Sequence, residues 1–345
     1  MTLSFCIPTY NRLRFLQKNI TILMQQIKEE GLEKEVEICI SDNHATDGTE
    51  EYCRQLVDNN QGITITYKRN EENLGPDRNF LSAMHMAKGE YSMLWGDDDF
   101  LHKGGLRRIF ELISHGRAND IQIMLSSTNV IDAQGKQMFV KNFLREDIKE
   151  YTVDFSKPEE ARSYFFLVKD MGGLLSFISD VIYKTSIIEE IPFDDRFIGT
   201  HYAFLCYWWG YLAKGKKLYY SSIPFLDETY QYQTAYGYGV DRLLVDYHGF
   251  TTIAGVSFQS GEIDKADFLQ CFQMLHPLIN QRMIRQAEPS HYDEVIKPKL
   301  SECGLTNDEY NILRNECSFK SNLKSFFYCI LPESLVRSIK DKKKR

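Results

Sequence analysis

The stretch Tyr91-Ser-Met-Leu-Trp-Gly-Asp-Asp-Asp-Phe100 constrains this chain more than any other. Tyr91 to Trp95 is apolar and aromatic, and short enough for a buried strand. Gly96 ends it, and Asp97, Asp98 and Asp99 follow at once. Carboxylates at the end of an interior strand repel one another, so a positive group has to compensate them. A hard divalent cation such as Mg²⁺ or Mn²⁺ suits oxygen ligands of this kind. The competing reading is a solvated acidic turn, and for an isolated Asp triplet it is the better one.

What changes the balance is the rest of the N-terminal half. Leu3 to Ile7 is a short apolar run closed by Pro8-Thr9-Tyr10-Asn11-Arg12, which is turn chemistry at a strand end. Phe15, Leu16, Ile20, Leu23, Met24 and Ile27 then recur at helical spacing up to Gly31. Val36 to Ser41 reads as a second strand with Asp42 at its carboxyl end, and Ile63 to Tyr67 as a third. Asn73-Leu-Gly-Pro-Asp-Arg-Asn79 follows, with Pro76 placed for the first turn of a helix through Ala87. Strands alternating with helices in this way predict an α/β fold: a Rossmann-like, three-layer, mainly parallel sheet with right-handed crossovers. Such sheets bind ligands at the carboxyl ends of their strands. Thr9-Tyr10, Asp42, the Gly75 loop and Asp97–Asp99 therefore converge on one edge.

Further along, residues 104–114 read as a helix, 121–126 as a strand and 130–135 as a hairpin turn. Residues 158–170 read as a helix, and 177–183 alternate like a strand. Residues 191–199 form a turn-rich loop before a helix carrying Phe204, Leu205, Trp208, Trp209 and Leu212. The Tyr-rich segment 227–239 reads equally as a mobile lid or a packed surface loop. Beyond Val240 the pattern is helical. We expect one α/β domain over residues 1–225, with a donor-binding half (1–130) and an acceptor-binding half (131–225). An α-helical C-terminal extension, residues 226–345, would follow.

Composition excludes some partners. With 345 residues, a net charge of −7 and no basic face evident, the chain is not expected to bind nucleic acid. Tyr and Trp suit pockets with an apolar body and a polar tip, and 13% of the residues are aromatic. The eight cysteines form no CxxC and no metal spacing, and several lie in apolar runs as small buried hydrophobes. A reducing, cytoplasmic setting is the simplest home. No signal peptide and no bilayer-spanning apolar run are legible.

Four stretches, in order, resemble a known family: the nucleotide-sugar glycosyltransferases of family 2, which have the GT-A fold and invert the anomeric centre. Ile7-Pro-Thr-Tyr-Asn-Arg12 resembles their opening strand and turn. Ser41-Asp-Asn-His-Ala-Thr-Asp-Gly-Thr49 is similar to their Asp-Asp-x-Ser-x-Asp-x-Thr element. Asn73 to Asn79 is similar to Asn-x-Gly-x-x-x-Asn, and Trp95-Gly-Asp-Asp-Asp99 to the Asp-x-Asp metal site. The resemblance covers residues 3–130, fades across 170–215 and is absent beyond.

It implies a metal-dependent, hexosyltransferase-like enzyme using Mn²⁺ or Mg²⁺. Sugar would pass from a nucleotide-diphosphate donor to a glycan or lipid-linked acceptor, in cell-surface polysaccharide synthesis. Pro8, Thr9 and Asp42 would line the base pocket, with Tyr10, Arg12, Asn43 and Asp98 also on the donor side. Gly75 would let backbone approach closely, and Arg78 would reach the phosphates. Asp97 would hold ribose or metal, and Asp99 the metal. Asn43 and Ala45 depart from the family's second Asp and its Ser. Seen alone, Asp42 and Asp47 are equally good helix-capping residues, Gly75-Pro76 is turn chemistry, and Arg78 a solvated helix charge.

The family places its catalytic base, often in a Glu-Asp pair, after a loop like Phe193-Asp-Asp-Arg-Phe-Ile-Gly199. This chain reads Thr200-His201 there. The candidates are His201, whose imidazole titrates near neutrality, and Asp194 or Asp195 upstream. The bland alternatives are a first-turn polar residue and a solvated turn. Two other functions compete. A sugar nucleotidyltransferase would need a Gly-rich phosphate loop after the first strand, which Ile7 to Arg12 lacks. A non-catalytic carbohydrate-binding or scaffold protein would have lost its metal carboxylates, and these are intact. Residues 319–345 join an apolar run to Lys340-Asp-Lys-Lys-Lys-Arg345. They read either as a packed helix with a basic end or as a contact with an anionic membrane at the inner face of the cell membrane.

Overall fold

Every residue of β1 (Leu3–Thr9) and β2 (Val36–Asp42) is buried, so both faces of these strands are covered and neither shows in–out alternation. They sit in an eight-stranded sheet. Its order is β3 (Thr64–Arg69), β2, β1, β4 (Tyr91–Leu94), β10 (Val181–Lys184), β6 (Ile123–Ser126), β11 (Lys217–Ser221) and β9 (Glu150–Asp154). This computed structural model describes residues 1–59, 62–132, 134–229, 240–258 and 263–275. Strands β3, β2, β1 and β4 run parallel, as do β6 and β11, while β10 and β9 are antiparallel to their neighbours. A second sheet is ordered β5 (Phe100–Leu101), β12 (Leu226–Thr229), β7 (Thr128–Ile131) and β8 (Gln137–Lys141).

Helices α1 (Leu13–Glu29), α2 (Thr49–Asp58), α3 (Gly75–Met84) and α4 (Gly105–Asn119) connect the first strands. Then come α5 (Pro158–Leu167), α6 (Ile187–Glu190), α7 (Leu205–Leu212), α8 (Val240–Val256) and α9 (Lys265–Leu275). The large sheet separates two apolar clusters. On one face Phe5, Ile7 and Trp95 pack with Leu16, Ile20 and Leu23 of α1 and Leu106 and Ile109 of α4. On the other, Cys6 and Leu94 pack with Ala83 and Met84 of α3 and with Trp208 and Trp209 of α7. This is the expected three-layer architecture.

The strand order reverses at β1, which has β2 on one side and β4 on the other. The β1–β4 ladder stops at Cys6↔Leu94, whereas β1–β2 continues to Thr9↔Asp42. Pro8 has no N–H, and it falls beyond the end of β4, where that donor is not needed. The parting of β1 and β4 opens the crevice typical of such a switch point.

Two readings need correction or refinement. The strand expected over 177–183 begins only at Val181. Ser179 turns its hydroxyl to Gly96 N–H and to Asp99, which takes this segment out of the sheet. The line expected after residue 225 falls just before β12, which completes the second sheet against β5 and β7. Phe250 of α8 and Phe268 of α9 share one buried cluster with Trp209, whose ring centroid lies 5.2 Å from that of Phe268. The Tyr-rich segment 230–239 and the basic run 340–345 lie outside the described residues. Five cysteines (6, 39, 53, 206 and 271) are described, all buried and unpaired. Among the described residues, no helix is long and apolar enough to cross a membrane.

One side chain of α1 shapes the acidic loop from below. Asn19 is buried, and its amide donates to the carbonyls of Gly96 (2.8 Å) and Asp99 (2.5 Å) while accepting from the Trp95 indole N–H (3.2 Å). Asn19→Ala would strip three buried groups of their partner. We expect a loss of about 3 kcal/mol from net hydrogen-bond terms and an orphaned indole, read as a lower urea midpoint at unchanged slope.

Candidate active site

Each acidic residue after β4 is met by a side chain from another part of the chain. Asp97 accepts from Thr9 Oγ1 at the end of β1 (2.8 Å) and from Arg12 Nε in the following turn (2.8 Å). The same guanidinium pairs with Asp98. Asp99 accepts from Ser179 Oγ at 2.5 Å, and that hydroxyl accepts from Gly96 N–H at 2.8 Å. Gly96 is required here, because a Cβ would lie 2.4 Å from Asp99 Oδ2. Burial lifts the Asp97 carboxyl from 3.8 to about 6, Arg12 opposing and Asp98 adding to the rise. Burial and the neighbouring Asp98 push Asp99 well up as well.

The other stretches singled out in the sequence join the same network. Asn43 donates to Asn73 Oδ1 (2.7 Å) and Gly75 O (3.2 Å), and accepts from Leu74 N–H (2.9 Å). It therefore fixes the loop in which Gly75 takes φ +78°. Asn79 accepts from Ser41 Oγ (2.8 Å) and donates to Thr9 O (3.4 Å). Asp42 is fully buried, its oxygens receiving Ala45 N–H and Tyr67 Oη at 2.7 Å each, with Arg69 Nε at 3.7 Å. Asp47 caps α1 through Leu13 N–H (2.8 Å), the bland role weighed for it. Pro8 is buried, Tyr10 exposed, and Arg78 stands exposed on α3.

The three base candidates are not brought together. His201 is held at φ +62°, and its N–H donates to Asp77 Oδ2 (3.0 Å) at the start of α3. Asp77 also receives Gly199 N–H (2.8 Å) and Ala203 N–H (3.1 Å). Asp194 instead receives both Nε (2.9 Å) and Nη2 (2.7 Å) of Arg196, which holds its carboxyl below the usual range. Its neighbour Phe193 packs on Tyr207 (5.9 Å between ring centroids), and Tyr207 on His85 (6.1 Å) at the far end of α3. That end lies roughly 12 Å from Asp77 by helical rise. Asp195 is exposed.

Sequence reasoning missed Asn19, Asp77, Ser179 and Asp180. Asp77 lay inside a quoted motif with no role attached. Ser179 and Asp180 interrupt an otherwise apolar run, and that interruption was the available signal. Among the described residues, no group of three or more His, Cys, Asp or Glu is arranged to enclose a metal ion. A site completed by phosphate oxygens needs only one or two carboxylates. Asp97 and Asp99 fit that requirement: both are oxygen donors in an acidic loop, beside the fully buried Asp180 carboxylate, which has no hydrogen-bond partner.

A sheet that reverses its order beside a carboxylate-lined crevice has the GT-A architecture, and solved structures agree. TarS (residues 1–349) of S. aureus in complex with UDP superposes with a TM-score of 0.56 at 16% identity, covering 86% of this chain and 75% of that one. Mannosyltransferase PcManGT of Pyrobaculum calidifontis, in complex with GDP-Man and Mn²⁺, gives a TM-score of 0.55 at 12% identity, covering 96% and 81%. At these identities the likeness is one of fold.

Residues 4–169, just under half of the chain, match the glycosyl transferase family 2 model. The abequosyltransferase RfbV of Salmonella typhimurium is 37% identical over 205 residues, 59% of this chain and 58% of that protein. GalNAc(5)-diNAcBac-PP-undecaprenol beta-1,3-glucosyltransferase of Campylobacter jejuni is 25% identical over 217 residues, 63% of this chain and 61% of that protein. The matched stretch thus spans about three fifths of each of these two relatives.

The raised Asp97 carboxyl has a signed consequence. Between pH 4 and 6 the folded chain keeps a proton that the unfolded chain releases, so stability falls as pH rises through that window. In EDTA, urea unfolding should show Asp97 contributing a decline of about 2–3 kcal/mol across it, and Asp97→Asn should flatten the curve.

Proposed function

We propose that this chain transfers a sugar from a nucleotide-diphosphate donor to a glycan or lipid-linked saccharide, inverting the anomeric centre with the aid of Mn²⁺ or Mg²⁺. The observation that carries it is the single hydrogen-bonded network joining Thr9, Arg12, Asn43, Asn79 and Asp97 around the open crevice. Both named relatives are glycosyltransferases, and one is named for a polyprenol-linked saccharide. These names favour cell-surface polysaccharide synthesis and work at the inner face of the cell membrane, where the basic residues 340–345 would meet anionic lipid.

Asp97 and Asp99 would hold the metal, whose chemistry is Lewis-acid stabilisation of the departing diphosphate. Arg12 neutralises Asp97 and Asp98, which keeps the acidic loop folded before donor arrives. Gly75 and Arg78 open the α3 N-terminus, where backbone N–H groups and a cation suit phosphate. His201 takes the proton of the attacking hydroxyl. Asp194 is a weaker base, because Arg196 stabilises its ionised form. Asp77 positions the 199–203 turn through three backbone bonds and ties it to the donor loop on the same helix.

Two experiments test this. UDP-, GDP-, CDP- and dTDP-sugars are screened for turnover with Mn²⁺: at least one should react, EDTA should stop it, and Asp99→Ala should abolish transfer in a folded protein. Turnover unaffected by EDTA would remove the metal from the mechanism. In the second, His201→Ala should cut kcat by at least ~100-fold with donor affinity retained. Asp77→Ala should lower kcat by about 10- to 100-fold through misplacement of the same turn, while Asp194→Asn and Asp195→Asn stay near normal. If His201→Ala transfers normally, the base lies elsewhere.

A further inference from the structure

Asp180 is the most unusual charged group in the described structure. Its side chain is fully buried, and among the described residues neither carboxylate oxygen has a hydrogen-bond partner. An unpaired buried carboxylate costs several kcal/mol, and here the backbone is committed to holding it. Asp180 O accepts Ser126 N–H at 3.1 Å, and the preceding Ser179 is pinned between Gly96 and Asp99. Asp180 therefore stands one residue beyond the contact that anchors Asp99.

The second sheet supplies the opposite wall. β5 begins immediately after Asp99 and pairs with β12, and β12 pairs with β7 in the register Val130↔Glu228. β7 pairs with β8 in the register Thr128↔Lys141. Paired residues share a face, as do residues two apart, so Thr128, Lys141 and Glu228 project together. Lys141 Nζ pairs with the Glu228 carboxylate and lies 5.2 Å above the centre of the Phe177 ring. Thr128 Oγ1 is buried and also without a partner. Burial pushes the Asp180 carboxyl well above the usual carboxylate range; Lys141 opposes the rise, and Asp99, Glu228 and Asp170 add to it. Lys141 and Glu228 keep about a quarter to a third of their side-chain surface exposed and so form the rim, with Asp180 as the floor.

We infer that Asp180, with Thr128 and Lys141, is a receptor for the hydroxyl groups of a sugar ring. Its two oxygens are unanswered hydrogen-bonding atoms: ionised they only accept, protonated they donate one O–H and still accept, and a vicinal diol, with two hydroxyls at the spacing of one carboxylate, matches either form. Phe177 adds an aromatic face of the kind that suits the apolar side of a pyranose. The inference rests on the donor-site reading above: with Asp99 at the diphosphate, the next space inward is where the transferred sugar would sit. Hydroxyls of the acceptor sugar have the same chemistry, and the test separates the two.

The proteins compared are wild type, Asp180→Asn and Asp180→Ala. The probes are UDP, GDP, CDP and dTDP, each with and without an attached hexose, bound in the presence of Mn²⁺ by calorimetry. The acceptor KM is measured alongside. Removing an unpaired buried charge should leave the melting temperature unchanged or higher, so lost binding cannot be charged to misfolding. We expect the nucleoside diphosphate to bind all three proteins within twofold, and the nucleotide-hexose to bind both variants about 10- to 100-fold more weakly. A loss confined to the acceptor KM would support the hydroxyl receptor and assign it to the acceptor sugar. Unchanged nucleotide-hexose affinity together with unchanged acceptor KM, in folded variants, overturns the role of Asp180 and leaves the donor site standing. A wild-type protein that binds none of the nucleotides overturns both.

Discussion

Three consecutive carboxylates at the end of an interior strand are the constraint around which this molecule is built. Asp97 and Asp99 are nearly excluded from solvent, so their charge is stabilised or masked by protein groups alone. Arg12 answers Asp97 and Asp98, Thr9 adds a hydroxyl to Asp97, and Ser179 adds one to Asp99. Asn19 holds the loop's carbonyls from beneath. Two stretches far apart in sequence, residues 9–19 and Ser179, are thereby fixed to one turn. A turn with this much negative charge and so few cations is stable, but it is poised to gain from a bound cation.

Helix α3 transmits that order to the other side of the crevice. Its first turn carries the Gly75 loop, latched by Asn43, and its buried Asp77 gathers three backbone N–H groups of the 199–203 turn. His201 stands in a left-handed conformation that a non-glycine residue adopts at a cost of order 1–3 kcal/mol, and the Asp77 bonds offset it. The Gly75 loop and the 199–203 turn are therefore both tied to α3, and any shift of that helix reaches both.

The second sheet has a different role. It is short, it begins one residue after Asp99, and it brings Lys141, Glu228 and Thr128 opposite Asp180. Its strands come from before, within and after the helical middle of the chain. This sheet is thus an addition to the large sheet rather than part of it.

Sequence alone determined the class of fold and brought forward the acidic loop and the turns that meet it, because both depend on local patterns. Short continuous apolar runs bounded by turn residues and alternating with helical patterns read as strands covered on both faces. Turn residues at strand ends, from Pro8 to Arg12 and from Gly96 to Asp99, announce themselves by composition. What tertiary structure alone decided are the long-range partners. No local signal could say that Asn19 would face the acidic loop, that Asp77 would hold residue 201 across 124 positions, or that Arg196 would occupy Asp194. Short strands such as β5, β9 and β12 were equally illegible, since two to five residues have too little periodicity to declare themselves and exist only through the ladders they join. Asp180 lay between the two cases. Its place in an apolar run marked it as odd, but only the packed fold shows that neither oxygen is answered, because hydrogen-bond satisfaction is a property of neighbours and not of sequence.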